Sequence, residues 1–172
     1  MILAIKKFVL GLMIRRWERR QMIRFNQIKE HGSLYIVDID NTLTISELGK
    51  ELNHLSPQPR NEMISYVRNL AEEGHKVIFL SARDFRLFQA TEKWLNSHML
   101  PANDSSLFLV SSARAKLPYL ELAINRNTKV IYIDDLTYNY ENGEIKNYSA
   151  VIKEVQSMQL DYLGQTFIAD FS

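Results

Sequence analysis

The sequence predicts an α/β fold, a three-layer arrangement in which a parallel sheet is flanked by helices on both faces. Three observations carry that expectation. Short apolar runs of strand length recur at "LYIV" (34–37), "KVIFL" (76–80), "LFLV" (107–110) and "KVIYI" (129–133). Segments with apolar residues at helical spacing separate them. Each run ends in polar residues: Asp38 and Asp40; Ser81 with Arg83 and Asp84; Ser111 and Ser112; Asp134 and Asp135. Ligands of such sheets bind outside the carboxyl ends of the strands. Neighbouring strands would therefore bring these groups into one crevice.

The elements follow in order. Residues 1–31 predict a helical arm and residues 32–172 the α/β domain. The arm, "MILAIKKFVLGLMIRRWERRQMIRFNQIKEH", has no proline, and Gly11 is its only glycine. Its apolar residues make no clean stripe: Ile2, Ile5, Val9, Leu12, Met13 and Trp17 keep a three-to-four spacing, whereas Phe8, Leu10 and Ile14 do not. "HLSPQP" (54–59) reads as a loop. Arg60 to Glu73 reads as a helix with Met63, Ile64, Val67 and Leu70 on one face, stopped by Gly74. Phe85 to His98 reads as a second helix, "PANDSS" (101–106) as a turn, and Leu117 to Asn125 as a short helix with Pro118 in its first turn. Asn142–Gly143 predicts a two-residue hairpin after the fourth strand. Residues 150–160 read as a last helix. The whole is a Rossmann-like pattern.

Charge and composition narrow the function. The net charge of +1 conceals an asymmetry. Residues 1–30 hold eight basic residues against two acidic, and the remainder 13 against 18, so a basic arm at +6 precedes an acidic body at −5. There is no cysteine, which excludes a disulfide framework, thiolate metal sites and a cysteine nucleophile, and fits a reducing, cytoplasmic compartment. Lys6 and Lys7 split the apolar start of the arm, which is too short to span a bilayer and lacks the form of a signal peptide. Three readings of the arm stand: a helix packing on a second subunit or on the body, a helix at a membrane surface, and a nucleic-acid contact through "RRWERR".

The carboxylates at the ends of the first and fourth strands would meet in space. Close carboxylates repel unless a cation intervenes. Asp38, Asp40 and Asp135, without cysteine or a suitable histidine pair, suggest a hard, oxygen-ligated ion, and Mg2+ fits. His31, His54, His75 and His98 sit singly and read as structural or solvated.

The segment "DIDNTL" resembles the DxDxT first motif of haloacid dehalogenase-like phosphohydrolases, with Asp38, Asp40 and Thr42 in its fixed positions. "VIFLSAR" is similar to the second motif and places Ser81. "ARAKLPYL" is similar to the third and places Lys116, with Arg114 and Lys129 as nearby competitors. "VIYIDD" is similar to the fourth, the acidic pair Asp134 and Asp135. The four occur in the family's order between about residues 34 and 136.

The resemblance implies a role for each. Asp38 is the expected nucleophile, and Asp40 the general acid and then base. Thr42, Ser81 and Lys116 are the expected phosphate-binding residues. Asp38, Asp40 (through its carbonyl), Asp135 and Asp134 are the expected Mg2+ ligands, and Asn41, Arg83 and Arg86 candidate substrate contacts. The short spans after the first and second motifs imply a capless site, open to a large substrate or closed by a neighbouring subunit. "SARDFRLFQATEKWLNSHML" also resembles the phosphatase portion of polynucleotide kinases, which implies a polynucleotide 3'-phosphate as an alternative substrate. A non-catalytic binding or scaffold module tethered by its arm is the alternative of another class.

Overall fold

The structure, a computed structural model, describes residues 2–29, 32–45, 53–136, 138–141 and 144–171. The chain begins with the long helix α1 (Ile2–Asn26), then β1 (Ser33–Val37) and a short antiparallel pair, β2 (Thr44–Ile45) with β3 (Gln58–Pro59). Next come α2 (Asn61–Glu72), β4 (Lys76–Ser81), α3 (Phe88–Ser97), β5 (Leu107–Leu109), α4 (Leu117–Ile124) and β6 (Lys129–Ile133). The antiparallel strands β7 (Tyr138–Glu141) and β8 (Glu144–Asn147), α5 (Ser149–Gln156), β9 (Asp161–Leu163) and α6 (Gln165–Ala169) complete it.

Five parallel strands form one sheet in the order β5-β4-β1-β6-β9. Side chains alternate across its two faces. Leu34, Ile36, Ile78, Leu80, Phe108, Val130 and Tyr132 pack one way, against Phe25 of α1, Leu120 of α4 and Val155 of α5. Val37, Phe79, Leu107, Leu109, Ile131 and Ile133 pack the other way, against Val67 of α2, Leu95 of α3 and Ile168 of α6. This is the expected Rossmann-like α/β fold with its N-terminal helix. Helix α2 ends as Gly74 predicts: at φ +86° it lets His75 N–H reach Leu70 O and its own N–H reach Ala71 O.

Local differences have local causes. The second helix opens as a 3-10 turn over Phe85–Leu87, capped by Asp84, whose side chain accepts from Arg86 N–H. The last predicted helix ends at Gln156, and the chain then adds β9 and α6. Strand β9 has three residues, and only its pairing along β6 (Ile131↔Asp161 to Ile133↔Leu163) makes it a strand. Gln58 and Pro59 pair with Ile45 and Thr44 instead of lying in a free loop. The predicted hairpin appears as β7 and β8; Asn142 and Gly143 themselves lie outside the described residues, as does His31. Among the described residues no helix is long and apolar enough to cross a membrane.

Helix α1 lies across the β5 edge and runs opposite to the strands. Near its carboxyl end, Arg24 pairs with Asp104, just before β5, and Asn26 O accepts from Arg126, just before β6. Midway, Trp17 Nε1 donates to Leu109 O at the carboxyl end of β5 (3.0 Å), and Glu18 accepts from Ser111. Phe25 fits edge-on between Phe108 and Tyr119.

Candidate active site

The carboxyl ends of β1, β4 and β6 are adjacent, and the polar residues that follow them line one cleft. Asp38 N–H still bonds Ile133 O (2.9 Å), so the first acid sits on the last rung of the sheet. The chain then turns sharply. Ile39, fully buried, anchors the turn from below. Its carbonyl accepts from Leu43 N, Thr44 N and Thr44 Oγ1, and Thr44 Oγ1 accepts from Asn41 N–H. Asn41 adopts φ +60°, a left-handed conformation that asparagine tolerates better than most side chains. The turn swings Asp40 to the β4 side of the cleft.

Lys116 approaches from the 3-10 turn Arg114–Lys116 that precedes α4. It is 3% exposed, and its Nζ donates to Asp38 Oδ1 (2.8 Å) and Asp134 Oδ2 (2.6 Å). Its sequence competitors lie elsewhere: Arg114 pairs with Glu154, and Lys129 with Asp161, both on the surface. Asp134 is engaged from several sides. It accepts from Lys116, from Tyr132 OH and from Leu136 N–H, and its backbone carbonyl accepts from Tyr162 OH. Asp134 therefore holds Lys116 while keeping a carboxylate oxygen within reach of Asp38 and Asp135. Asp135 is tied to the first loop by its N–H, which donates to Thr42 Oγ1 (3.3 Å). Thr42 is fully buried, joins the β1 and β6 loops and does not line the cleft.

On the other side, Arg83 grips Asp40 with two nitrogens: Nε to Oδ2 at 2.9 Å and Nη2 to Oδ1 at 2.6 Å. Arg83 Nη1 donates to Thr91 Oγ1 of α3 at 3.2 Å. Its guanidinium is wholly buried, so it is placed to orient Asp40 rather than to meet solvent or substrate. Arg86 points outward to Asp84 and does not join the cleft. His54 Nδ1 lies 3.6 Å from Asp40 Oδ1, so this histidine, expected to be structural or solvated, belongs to the Asp40 side.

The two aspartates titrate in opposite directions. Burial, reinforced by Asp134, pushes the Asp38 carboxyl up to about 8 against the pull of Lys116. Burial also works against Asp40, but the Arg83 charge outweighs it, with help from His54, and holds this carboxyl well below the usual range. Burial would lower Lys116, yet Asp134 and Asp38 hold it above the ordinary lysine value.

A metal fits this donor set. One carboxylate oxygen each from Asp38, Asp134 and Asp135 lies within 4.8 Å of the others. The cleft region brings together four aspartates, Asp38, Asp40, Asp134 and Asp135, against two cations, Lys116 and Arg83, each already bonded to carboxylate. A donor set of carboxylate oxygens alone suits a hard divalent ion. Ser81 Oγ is buried without a hydrogen-bond partner and lines the same cleft, which suits a group awaiting an external oxygen. The cleft is lined by Asp38, Asp40, Asn41, Ser81, Lys116 and Asp135 among others, and its free volume of about 30 Å3 holds an ion or a water. A larger cavity of about 490 Å3 beside Arg24, Lys29, Lys76 and Asp104 contains none of these groups.

The sequence reading missed Tyr132, Tyr162, Thr91 and the placement of His54. Tyr132 had a signal, since it lies on β6 two residues before Asp134, which follows the strand directly, and so points to the same side. The others depend on tertiary pairing.

Residues 35–159 match the family model described as PITM 1-3, LNS2 domain. No curated protein and no solved structure matches the chain.

Proposed function

The chain belongs to the LNS2 domain family, and from that premise we propose that it is a Mg2+-dependent phosphomonoester hydrolase working through an aspartyl-phosphate at an open, capless site. The family is part of the haloacid dehalogenase-like superfamily of phosphatases. The observation that carries the reading is the buried Lys116 held between Asp38 and Asp134, with Asp135 alongside. A structural ion pair needs one partner of each sign; an excess of buried carboxylate around one lysine suits a site completed by a cation and a phosphate.

In this mechanism an Asp38 oxygen attacks phosphorus while the bond to the leaving oxygen breaks, and Asp40 gives that oxygen a proton. Asp40 then takes a proton from water, whose oxygen attacks the phosphorus, restoring Asp38 and releasing phosphate. Ser81 donates to a phosphoryl oxygen, and Lys116 holds Asp38 in place while offsetting charge. Mg2+, held by Asp38, Asp135 and the carbonyl of Asp40, would supply the neutralisation that lets an anionic nucleophile meet an anionic phosphate. Arg83 keeps Asp40 ionised, the form needed in the second step. An incoming phosphate dianion opposes Arg83 and lifts Asp40 toward the protonated form needed in the first.

That same Arg83 clamp favours a second reading, a binding module in which Asp40 never donates. Hydrolysis of a generic aryl phosphate separates the two. The enzyme reading expects turnover that requires Mg2+ and is lost in Asp38→Asn. No turnover over a broad panel of phosphomonoesters supports the binding module.

A further inference from the structure

Residues 8–13 of α1 form an apolar surface without a partner among the described residues, and its surroundings indicate what covers it. Phe8 is 63% exposed and Met13 50%, with Val9, Leu10 and Leu12 between them also exposed. At 3.6 residues per turn these side chains span roughly 200° of the helix circumference. Leu10 shares the face of Ile14, Trp17 and Gln21 that turns toward the body, yet it is 40% exposed, so the helix has run past the body at that point. A helix apolar over so wide an arc suits an apolar medium rather than the narrow seam of a paired helix. Immediately behind this section stand Arg15, Arg16, Arg19 and Arg20, all exposed and without an ion pair among the described residues.

We propose that this section of α1 is a membrane-docking element that enters one leaflet of an anionic bilayer, with the four arginines at the level of the lipid phosphates. Phe8 to Met13 of the helix measures roughly 9 Å, within the roughly 15 Å hydrocarbon depth of one leaflet. The direction of the helix adds a consequence. Trp17 and Glu18 bond Leu109 and Ser111 at the carboxyl edge of the sheet, whereas Arg24 and Asn26 reach Asp104 and Arg126 at the opposite edge. The part of the helix before Ile14 therefore projects beyond the edge that carries Asp38, Asp40 and Ser81. Docking by this helix holds the crevice at the bilayer side of the molecule.

The inference does not depend on the crevice being catalytic, and its test avoids the crevice. The full chain is sedimented with vesicles of phosphatidylcholine alone or with phosphatidylserine, whose phosphate is a diester. Binding to the anionic vesicles is expected to exceed binding to the neutral ones by roughly tenfold or more. Phe8→Asp with Leu12→Asp abolishes it without moving the unfolding midpoint, because both side chains are exposed. Arg16→Glu with Arg19→Glu and Arg20→Glu removes the preference for anionic lipid. The inference is overturned if the wild type ignores anionic vesicles, if it binds neutral ones equally, or if the Phe8 and Leu12 variant still binds. A dimer that this variant dissociates, with no vesicle binding in either form, also overturns it and assigns the surface to a second copy.

Discussion

Asp38 and Asp40 are two residues apart, yet they stand in opposite halves of the cleft and are satisfied in opposite ways. On the β6 side, Asp38 and Asp134 share a single lysine, and Asp135 adds a third carboxylate within reach. On the β4 side, Asp40 has an arginine of its own, gripped in two places and backed by Thr91 and His54. Among the described residues, one half groups three carboxylates around one lysine, and the other pairs one carboxylate with one arginine. The difference shows how one strand end separates two chemically identical groups. Asp38 shares its lysine with a second carboxylate, which suits the proposed metal-bound nucleophile, and Asp40 is held in one direction by its own arginine, which suits the proposed proton carrier.

The comparison is broken most severely at Asp38. Asp38→Asn keeps the shape but removes the attacking charge, and activity toward an aryl phosphate should fall roughly 10⁴-fold or more, read as initial rates with Mg2+. A variant retaining most of its activity contradicts the assignment.

The two cations then test the contrast through stability. Lys116→Met leaves two buried carboxylates facing each other, and Arg83→Met leaves Asp40 alone; each should cost about 3–5 kcal/mol in urea unfolding. Added Mg2+ should restore much of the loss in Lys116→Met and little in Arg83→Met. Equal rescue of both variants means the halves do not differ as described.

The smallest effect is in pH. A proton on Asp38 competes with a cation, and its carboxyl is pushed up to about 8. Because the folded value lies above the ordinary one, the metal-free protein loses stability from this group as pH rises through it. Mg2+ binding correspondingly strengthens, by roughly tenfold per pH unit below that value. Calorimetric titration at pH 6 and pH 8 checks the sign; equal affinities contradict it.

Much of this site was legible because its residues lie at strand ends, where apolar runs stop abruptly. Asp38, Asp40, Ser81 and the Asp134–Asp135 pair stand out in that way. Lys116 was harder, because in sequence it competes with Arg114 and Lys129. Only the three-dimensional path of the turn before α4 sends Lys116 inward and leaves the other two on the surface. Arg83 read as a substrate contact because a charged residue after a strand is ordinarily exposed. Its burial follows from a partner 43 residues earlier in the chain, which no local pattern encodes. Thr42 matched a motif position, but its hydroxyl serves the Asp135 backbone. Strand β9 was invisible because Asp161 reads as polar loop and the pairing partner is β6.

In the proposed mechanism Asp38 becomes covalently phosphorylated, and Asp40 is needed to release it. Asp40→Asn, mixed with an aryl phosphate whose leaving group needs no acid, should accumulate that intermediate. Acid quenching, proteolysis and mass spectrometry should then find phosphate on the peptide containing Asp38 in Asp40→Asn, and only a trace in the wild type. Turnover by the wild type with no phosphate on Asp38 in the Asp40→Asn protein, or phosphate on another residue, would contradict the account.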